Sequence, residues 1–251
     1  MLSLLIPVYN EQDAAEETVR RAYEALSRTG ERFEVLVLDD GSTDRTPEVL
    51  ADLHLPAVQI IRHPLNLGYG SSMKMGIRRS TGDIIATIDA DGTYPVEDFP
   101  KLLEEMQRTH ADMVVGARTK KGAKIPWNRR PAKVIVNALA NALAGQRIPD
   151  LNSGMRVFTR ILAERYMHLY PQRFSFTITI TLAALTNGYF VHYVPIDYFA
   201  RRGRSTLSSG LNGLRNFMNF LGLVVRIVTY FRPLKFIIWP STLLFLTGLG
   251  T

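Results

Sequence analysis

The sequence predicts an α/β fold in which helices cover both faces of a mostly parallel central sheet. Short apolar runs alternate with segments of helical periodicity through the first 200 residues, and such alternation is typical of a parallel sheet with crossover helices. The chain has 251 residues, 46% of them hydrophobic, which is enough for one domain with a sizeable core. Polar residues collect where the apolar runs end, as expected for an open sheet that binds ligands at the carboxyl ends of its strands.

The individual elements follow from hydrophobic periodicity. Apolar runs predict strands over 2–9, 33–40, 58–63, 83–89, 112–118 and 190–199. Helical spacing predicts helices over 10–27, 44–53, 95–109, 134–144, 160–169 and 178–186. Asn10 is the predicted N-cap of the first helix. A basic, proline-containing segment over 120–133 interrupts the pattern and predicts a mobile loop.

Composition narrows the class of protein. The sequence has no cysteine, which excludes disulfides, thiolate metal sites and cysteine nucleophiles and fits a reducing compartment. Residues 1–8 contain neither a basic leader nor a small-residue cleavage site, so no signal peptide is expected. The resulting expectation is a domain exposed to the cytoplasm.

The net charge of +7 is concentrated at the end of the chain. Seven basic residues follow Asp197, the last acidic residue, and they account for the whole excess: Arg201, Arg202, Arg204, Arg215, Arg226, Arg232 and Lys235. This asymmetry predicts that the C-terminal part faces phosphate groups or an anionic membrane surface. Nucleic acid is a weaker interpretation, because long apolar runs separate the basic residues.

The last 40 residues differ in pattern from the rest and set the predicted domain boundaries. Residues 1–210 form the predicted catalytic domain. Over 211–232, polar residues fall on one stripe of a helix and leave a wide apolar face, which is typical of an interfacial helix. The alternative is that this helix packs on its own domain. Residues 236–251 carry no charge, and the segment 233–251 is predicted to be membrane-associated or part of a longer span.

Asp89 and Asp91 follow a predicted buried strand. In extended chain, residues two apart point to the same side, so both carboxylates can face one cation. Mg²⁺ and Mn²⁺ are usually held by one or two carboxylates together with substrate phosphates and water. The alternative is an ordinary solvated acidic turn, and the position after a buried strand favours the metal site.

Two further strand ends carry candidate nucleotide-binding residues. Asp39 ends the second strand, where a carboxylate can accept hydrogen bonds from a base or a ribose. Asp44 is better explained as a cap of the next helix. After the first strand, Tyr9 can stack on a base and Glu11 can accept from a sugar hydroxyl, although a ring such as Tyr9 can also belong to the core.

Four ordered motifs resemble glycosyltransferase family two, whose members have a nucleotide-binding domain of the GT-A type. They are Ile-Pro-Val-Tyr-Asn-Glu at 6–11, Asp-Asp-Gly-Ser-Thr-Asp at 39–44, Asn-Leu-Gly-Tyr-Gly at 66–70 and Asp-Ala-Asp-Gly at 89–92. Residues 116–118, 150–156 and 201–205 are similar to the dolichol phosphate mannose synthase branch, which transfers a sugar to a polyprenyl phosphate. The similarity extends to about residue 235.

This resemblance implies roles for individual residues. It implies that Pro7, Tyr9, Glu11 and Asp39 bind the nucleotide, that Asp89 and Asp91 serve a Mg²⁺ or Mn²⁺ ion, and that Arg118 and Arg201 contact phosphates. Two positions depart from the branch: Thr93 stands where a glutamine is usual, and Thr206 stands where a lysine often follows the serine. Both departures bear on mannose as the sugar and leave the transferase assignment intact.

The acceptor determines the expected mechanism. A phosphate monoester has a second pKa near 6 and is anionic at neutral pH, so it needs no strong base, whereas a sugar hydroxyl needs one. Asp150 is assigned to orienting the acceptor or holding Arg156, with a helix N-cap as the alternative. We expect direct displacement with inversion, in which the cation and Arg201 or Arg202 neutralise the departing diphosphate.

The sequence therefore predicts a membrane-associated polyprenyl phosphate glycosyltransferase that faces the cytoplasm and uses a GDP- or UDP-sugar. Two alternatives stay open at this stage: a family-two transferase that acts on a carbohydrate hydroxyl, and a nucleotide-binding regulatory module without catalysis. The sequence leaves the sugar, the base and a homo-oligomeric state undecided.

Overall fold

The computed structural model describes residues 1–120, 138, 140–142, 144–173 and 175–200, together with the isolated residues 222, 229, 230, 233, 238, 241, 242, 247 and 248. Several sequence predictions concern other parts of the chain. Arg201, Arg202, most of the 120–133 loop and of the 134–144 helix, and nearly all of 211–251 lie outside the described residues. The predicted domain boundaries therefore stay predictions.

Strands of the described part form one seven-stranded sheet in the order β3-β2-β1-β4-β6-β5-β7. Their bounds are β1 Leu2–Val8, β2 Phe33–Asp39, β3 Val58–Arg62, β4 Ile84–Thr87, β5 Met113–Ala117, β6 Arg156–Thr159 and β7 Val191–Pro195. Only β6 runs antiparallel to its neighbours β4 and β5, and the other pairings are parallel. The predicted mostly parallel sheet is confirmed.

Helices lie between the strands, and all of them except α3 overlap segments for which the periodicity predicts a helix. Their bounds are α1 Ala15–Ser27, α2 Thr46–Ala51, α3 Tyr69–Arg79, α4 Phe99–Thr109, α5 Arg160–Arg165 and α6 Phe176–Thr186, with short 3-10 turns at Val96–Asp98 and Met167–Leu169. The exposed face of α1 carries charged side chains, whereas α6 is buried along ten of its eleven residues. The helix α6 is therefore a central packing element, although its sequence lacks an amphipathic pattern.

The core has one apolar layer on each face of the sheet. Along β1, Leu5 packs into the layer that contains α3, α5 and α6, whereas Leu4 and Ile6 pack into the layer that contains α1 and α4. Adjacent residues of a strand point to opposite faces, so a strand covered on both sides must be apolar throughout. The fully buried run of β1 meets this requirement and fixes its carboxyl end at one edge of the sheet.

One local prediction is wrong, and two elements, α3 and β6, were not predicted. Asn10 does not cap the first helix: α1 begins at Ala15, and Asn10 has a left-handed backbone (φ 54°) and accepts a hydrogen bond from the Thr43 N–H at 2.8 Å. Asparagine tolerates this conformation better than most residues, which suits a tight loop. The strand β6 was not predicted, because its four residues begin with the charged Arg156 and show no clear alternation.

Candidate active site

A cavity of about 360 Å³ opens at the carboxyl ends of β1 and β4. The sheet side contributes Pro7, Val8, Tyr9, Glu11, Asp40, Asp89, Ala90 and Asp91. The opposite side is formed by Asn66, Gly68, Tyr69 and Ser72 around the start of α3, and by Asn152, Gly154, Arg173, Ser175 and Thr177 from the turn before β6 and the start of α6. The site therefore lies where open α/β sheets bind ligands.

Asp89 and Asp91 both line this cavity, but their backbone geometry differs from the prediction. The strand β4 ends at Thr87, and the two carboxylates lie in the turn that follows, which Gly92 continues with φ 71°. Asp91 is oriented by Thr93, whose hydroxyl donates to Asp91 Oδ1 at 2.6 Å and whose N–H donates to the same oxygen at 3.2 Å. Thr93 thus serves to position Asp91.

The turn before β6 holds Asp89 from the other side. The Gly154 N–H donates to the Tyr94 hydroxyl at 2.8 Å, and the Gly154 carbonyl accepts from the Thr87 hydroxyl at 2.7 Å. A Cβ atom on Gly154 would collide with the Asp89 carboxylate. Any side chain at position 154 would therefore displace Asp89, which explains the need for glycine in the 153–155 segment.

Asp89 is a buried carboxylate whose surroundings favour its protonated form. Burial and the neighbouring charge of Asp91 raise the pKa of Asp89 to about 6, whereas Arg118, Tyr69 and Arg156 act in the opposite direction. A cation bound by both carboxylates would stabilise their ionised forms. Hard oxygen donors of this kind, completed by substrate phosphate and water, match what Mg²⁺ and Mn²⁺ require. No group of three or more protein ligands for a metal occurs among the described residues.

The predicted nucleotide-binding residues separate into two groups. Pro7, Tyr9 and Glu11 line the cavity, whereas Asp39 does not, and its side chain is 1% exposed. One oxygen of Asp39 accepts from the Ser42 N–H at 2.9 Å, and the other lies 3.1 Å from Arg62 Nε in an ion pair without hydrogen-bond geometry. Contact between Asp39 and a nucleotide therefore stays a prediction.

Asp40, for which no role was predicted, lines the cavity and holds the loop after β3 in place by hydrogen bonds. Its carboxylate lies 2.8 Å from His63 Nδ1 and accepts from the N–H groups of Leu67 and Gly68 at 3.0 and 2.8 Å. The pattern Asp-Asp at a strand end was the available signal, but the pattern alone could not say which carboxylate faces the cavity.

Asp150 holds Arg118, not Arg156 as one prediction had it. Its two oxygens accept from Arg118 Nε at 2.7 Å and Nη2 at 2.9 Å, and the Arg118 N–H also donates to it at 3.0 Å. The guanidinium lies 5.1 Å from the centre of the Tyr198 ring. Residues 151–155 contain no helix, so Asp150 is not a helix N-cap and that alternative is wrong as well. The predicted contact of Arg118 with a phosphate is left untested.

Arg156 is a structural residue that the sequence analysis did not interpret. Its side chain is fully buried. It donates to the carbonyl of Ser153, to the carbonyl of Thr177 at 3.0 Å and to the hydroxyl of Thr181 at 2.9 Å. Arg156 thereby joins the turn before β6 to α6, and these two segments form one side of the cavity.

The sequence profile of glycosyl transferase family 2 matches residues 3–167. The chain belongs to glycosyl transferase family 2. The family 2 match includes the carboxylates of the cavity and the turn before β6, whereas Arg173, Ser175 and Thr177 follow the matched range.

Named relatives include undecaprenyl-phosphate 4-deoxy-4-formamido-L-arabinose transferases. That of Edwardsiella ictaluri (strain 93-146) is 30% identical over 174 residues, which cover 68% of this chain and 53% of the relative. That of Sodalis glossinidius (strain morsitans) is 33% identical over 174 residues, covering 68% and 52%. The chain thus spans about half the length of these family 2 relatives.

Solved structures confirm the GT-A-like fold of this family 2 chain. Glucosyl-3-phosphoglycerate synthase from Mycobacterium tuberculosis, in complex with Mn²⁺, uridine diphosphate and phosphoglyceric acid, superposes with a TM-score of 0.70 at 19% identity, covering 91% of this chain and 78% of that one. TarS 1–349 from S. aureus, in complex with UDP-GlcNAc, gives a TM-score of 0.68 at 18% identity, covering 92% and 67%. At such identities the likeness concerns the fold alone.

The predicted membrane helices at the C-terminus are not shown. Within the part of the chain that the structure describes, none of the helices has both the length and the apolarity that a membrane span requires.

Asp89→Asn is expected to change how stability depends on pH in protein kept free of divalent cations. Because the folded state raises the pKa of Asp89 from 3.8 to about 6, the native state binds more protons than the unfolded state between these values. The free energy of unfolding therefore falls as pH rises from 4 to 6, by about 2 kcal/mol. The variant should lack this loss and should be more stable than the wild type at pH 8.

Urea denaturation at pH 4 and pH 8 with a chelator measures this effect, with the exposed Asp52→Asn as control. An Asp89→Asn effect that is the same at both pH values would contradict the assignment of the raised pKa to Asp89.

Proposed function

We propose that this chain transfers a sugar from a nucleotide diphosphate sugar to the phosphate of a polyprenyl phosphate, with inversion and with Mg²⁺ or Mn²⁺. The family 2 domain supports glycosyl transfer. The undecaprenyl-phosphate transferases among the relatives support the lipid phosphate acceptor. The complex of the synthase from M. tuberculosis with Mn²⁺ and uridine diphosphate supports a divalent cation and favours uridine as the nucleoside.

One observation about the cavity carries the choice of acceptor. Besides the carboxylates proposed to hold the metal and the nucleotide, the cavity is lined by Asn152, Ser175, Thr177 and Arg173 from the segments before β6 and at the start of α6. This side provides an amide, hydroxyls and a cation, but no carboxylate among the described residues. A sugar hydroxyl needs a general base near its proton, whereas a phosphate oxygen is already anionic at neutral pH. The composition of this side therefore suits a phosphate acceptor.

Asp150 does not supply the missing base. It lies in an ion pair with Nε and Nη2 of Arg118, and its side chain is 5% exposed. Neither Asp150 nor Arg118 is among the described residues that line the cavity. A carboxylate that accepts two hydrogen bonds from a guanidinium is shielded from a substrate proton. We assign Asp150 to positioning Arg118, which in turn is proposed to contact a substrate phosphate.

The other residues act by binding. Tyr9, Glu11 and Pro7 are proposed to hold the nucleotide beside the end of β1, with Asp39 behind them. Asp89 and Asp91 would hold the cation, which when bound neutralises charge on the departing diphosphate. Arg201 and Arg202 are proposed to assist through their charge. Residues 211–251 are proposed to attach the catalytic domain to the cytoplasmic face of a membrane, where a long isoprenoid acceptor resides.

Transfer should depend on the phosphate of the acceptor. With radiolabelled UDP- and GDP-sugars, the full chain is expected to label polyprenyl phosphate in vesicles and to leave the free polyprenol and soluble glycans unlabelled, because only the monoester brings an anionic oxygen. Thin-layer chromatography of the extracted lipid measures this. Labelling of glycans instead of lipid would identify the acceptor as a carbohydrate hydroxyl, and no transfer with any donor would favour a binding module.

Asp91→Ala is expected to lower transfer by at least about 100-fold, since one of two carboxylate ligands is removed and charge on the departing group is no longer neutralised. The fold should be retained, because Asp91 contributes little packing at the cavity edge. Activity and the melting temperature of Asp91→Ala and of the exposed control Asp52→Ala measure both effects. Full activity of Asp91→Ala, or of the wild type in excess chelator, would refute the metal assignment.

Asp150→Asn and Arg118→Lys should weaken the same step if Asp150 acts through Arg118. Both changes break the two-pronged ion pair, so each should raise the KM for the acceptor, and the double variant should be no worse than the worse single variant. A double-mutant cycle on acceptor KM and kcat tests this. A fall of kcat by more than about 100-fold in Asp150→Asn alone, with Arg118→Lys near wild type, would identify Asp150 as a base after all.

A further inference from the structure

Arg173 is the only cationic side chain among the described residues that line the cavity. It is exposed, and no carboxylate of the described residues forms an ion pair with it. The cavity itself contains the carboxylates of Glu11, Asp40, Asp89 and Asp91. An arginine that lies in the same cavity as four carboxylates and forms an ion pair with none of them is available to an anionic ligand.

The backbone around Arg173 is fixed by the start of α3. The Gly70 N–H donates to the Arg173 carbonyl at 2.8 Å, and the Ser71 N–H donates to the Gln172 carbonyl at 2.7 Å. These contacts use main-chain atoms of 172 and 173, so the position of the segment does not depend on the Arg173 side chain. Main-chain contacts therefore hold residue 173 at the cavity wall.

Two glycines make this close approach geometrically feasible. A Cβ atom on Gly68 would lie 2.8 Å from Cα and Cγ of Arg173, and a Cβ atom on Gly70 would collide with the carbonyl of Pro171. The aliphatic part of Arg173 thus lies against Gly68, which leaves its charged end to reach beyond the glycine. Long cationic side chains commonly pack their stem in this way while the charge stays accessible.

We infer that Arg173 binds a phosphate group of a substrate in this cavity and is a binding residue distinct from Arg118. The guanidinium fork suits a phosphate, to which it can donate two parallel hydrogen bonds. The inference rests on the proposed function for the identity of that phosphate, which belongs either to the nucleotide diphosphate of the donor or to the monoester of the acceptor. Both have the same recognition chemistry, and experiment distinguishes them.

Binding measurements on the full chain test the inference without requiring catalysis. Arg173→Met keeps the apolar stem and removes the charge, and Arg173→Lys restores a charge without the fork. Arg32→Met is the matched control, because Arg32 is exposed beside the amino end of β1, away from the cavity. The probes are UDP and GDP with Mn²⁺, measured by calorimetry, and undecaprenyl phosphate in mixed micelles, measured by intrinsic fluorescence.

We expect Arg173→Met to raise the dissociation constant for one of these probes by about tenfold or more, Arg173→Lys to recover part of the loss, and Arg32→Met to bind as the wild type does. A loss confined to undecaprenyl phosphate assigns Arg173 to the acceptor, and a loss confined to UDP or GDP assigns it to the donor. The melting temperature should be unchanged, since main-chain atoms anchor the segment.

Dissociation constants of Arg173→Met within twofold of those of Arg32→Met for every probe would overturn the inference, as would a wild type that binds none of them. The two proposals fail separately. A wild type that binds a phosphate through Arg173 but transfers no sugar refutes the proposed function alone, whereas normal transfer with unaffected binding in Arg173→Met refutes the inference alone.

Discussion

A buried guanidinium holds the candidate site together. Arg156 is removed from water and lies among neutral partners, namely two carbonyls and one hydroxyl from the turn before β6 and from α6. Burial lowers the pKa of Arg156, and an arginine without its hydrogen bonds would be very costly at such a position. These partners are therefore obligatory, and satisfying them fixes the distance between the turn and the helix.

The consequences of this contact reach the carboxylates. The turn that Arg156 holds contains Gly154, which lies against Asp89, and α6 contributes Thr177 to the same side of the cavity. The charges of Arg156 and Arg118 both stabilise ionised Asp89, although burial and Asp91 outweigh them. A cation at this site would stabilise ionised Asp89, and Asp91 beside it is already oriented by Thr93.

The sequence predicted those parts of the fold and site that depend on periodicity and on the position of polar residues at strand ends. β1, β2, α4 and the cavity positions of Tyr9, Glu11, Asp89 and Asp91 belong to this group, whereas α3 was not predicted. The predictions that failed concern residues whose partners are distant along the chain. Asp150 pairs with Arg118, 32 residues before it, and Arg156 donates a hydrogen bond to α6, more than 20 residues after it. The local sequence pattern also could not show which of Asp39 and Asp40 lines the cavity. Both lie at the same strand end, and only the packing of the loop after β3 distinguishes them.

The approach of segment 171–173 to α3 has an evolutionary consequence. Asn-Leu-Gly-Tyr-Gly looks like a glycine-rich phosphate loop, yet carbonyls of Gln172 and Arg173 accept from the first free N–H groups of that helix. The start of α3 and segment 171–173, about a hundred residues apart in sequence, are therefore joined by main-chain hydrogen bonds, so neither can move without the other. A side chain gained at position 70 would require a compensating shift near Pro171, so these positions should co-vary among homologues that remodel this side of the cavity.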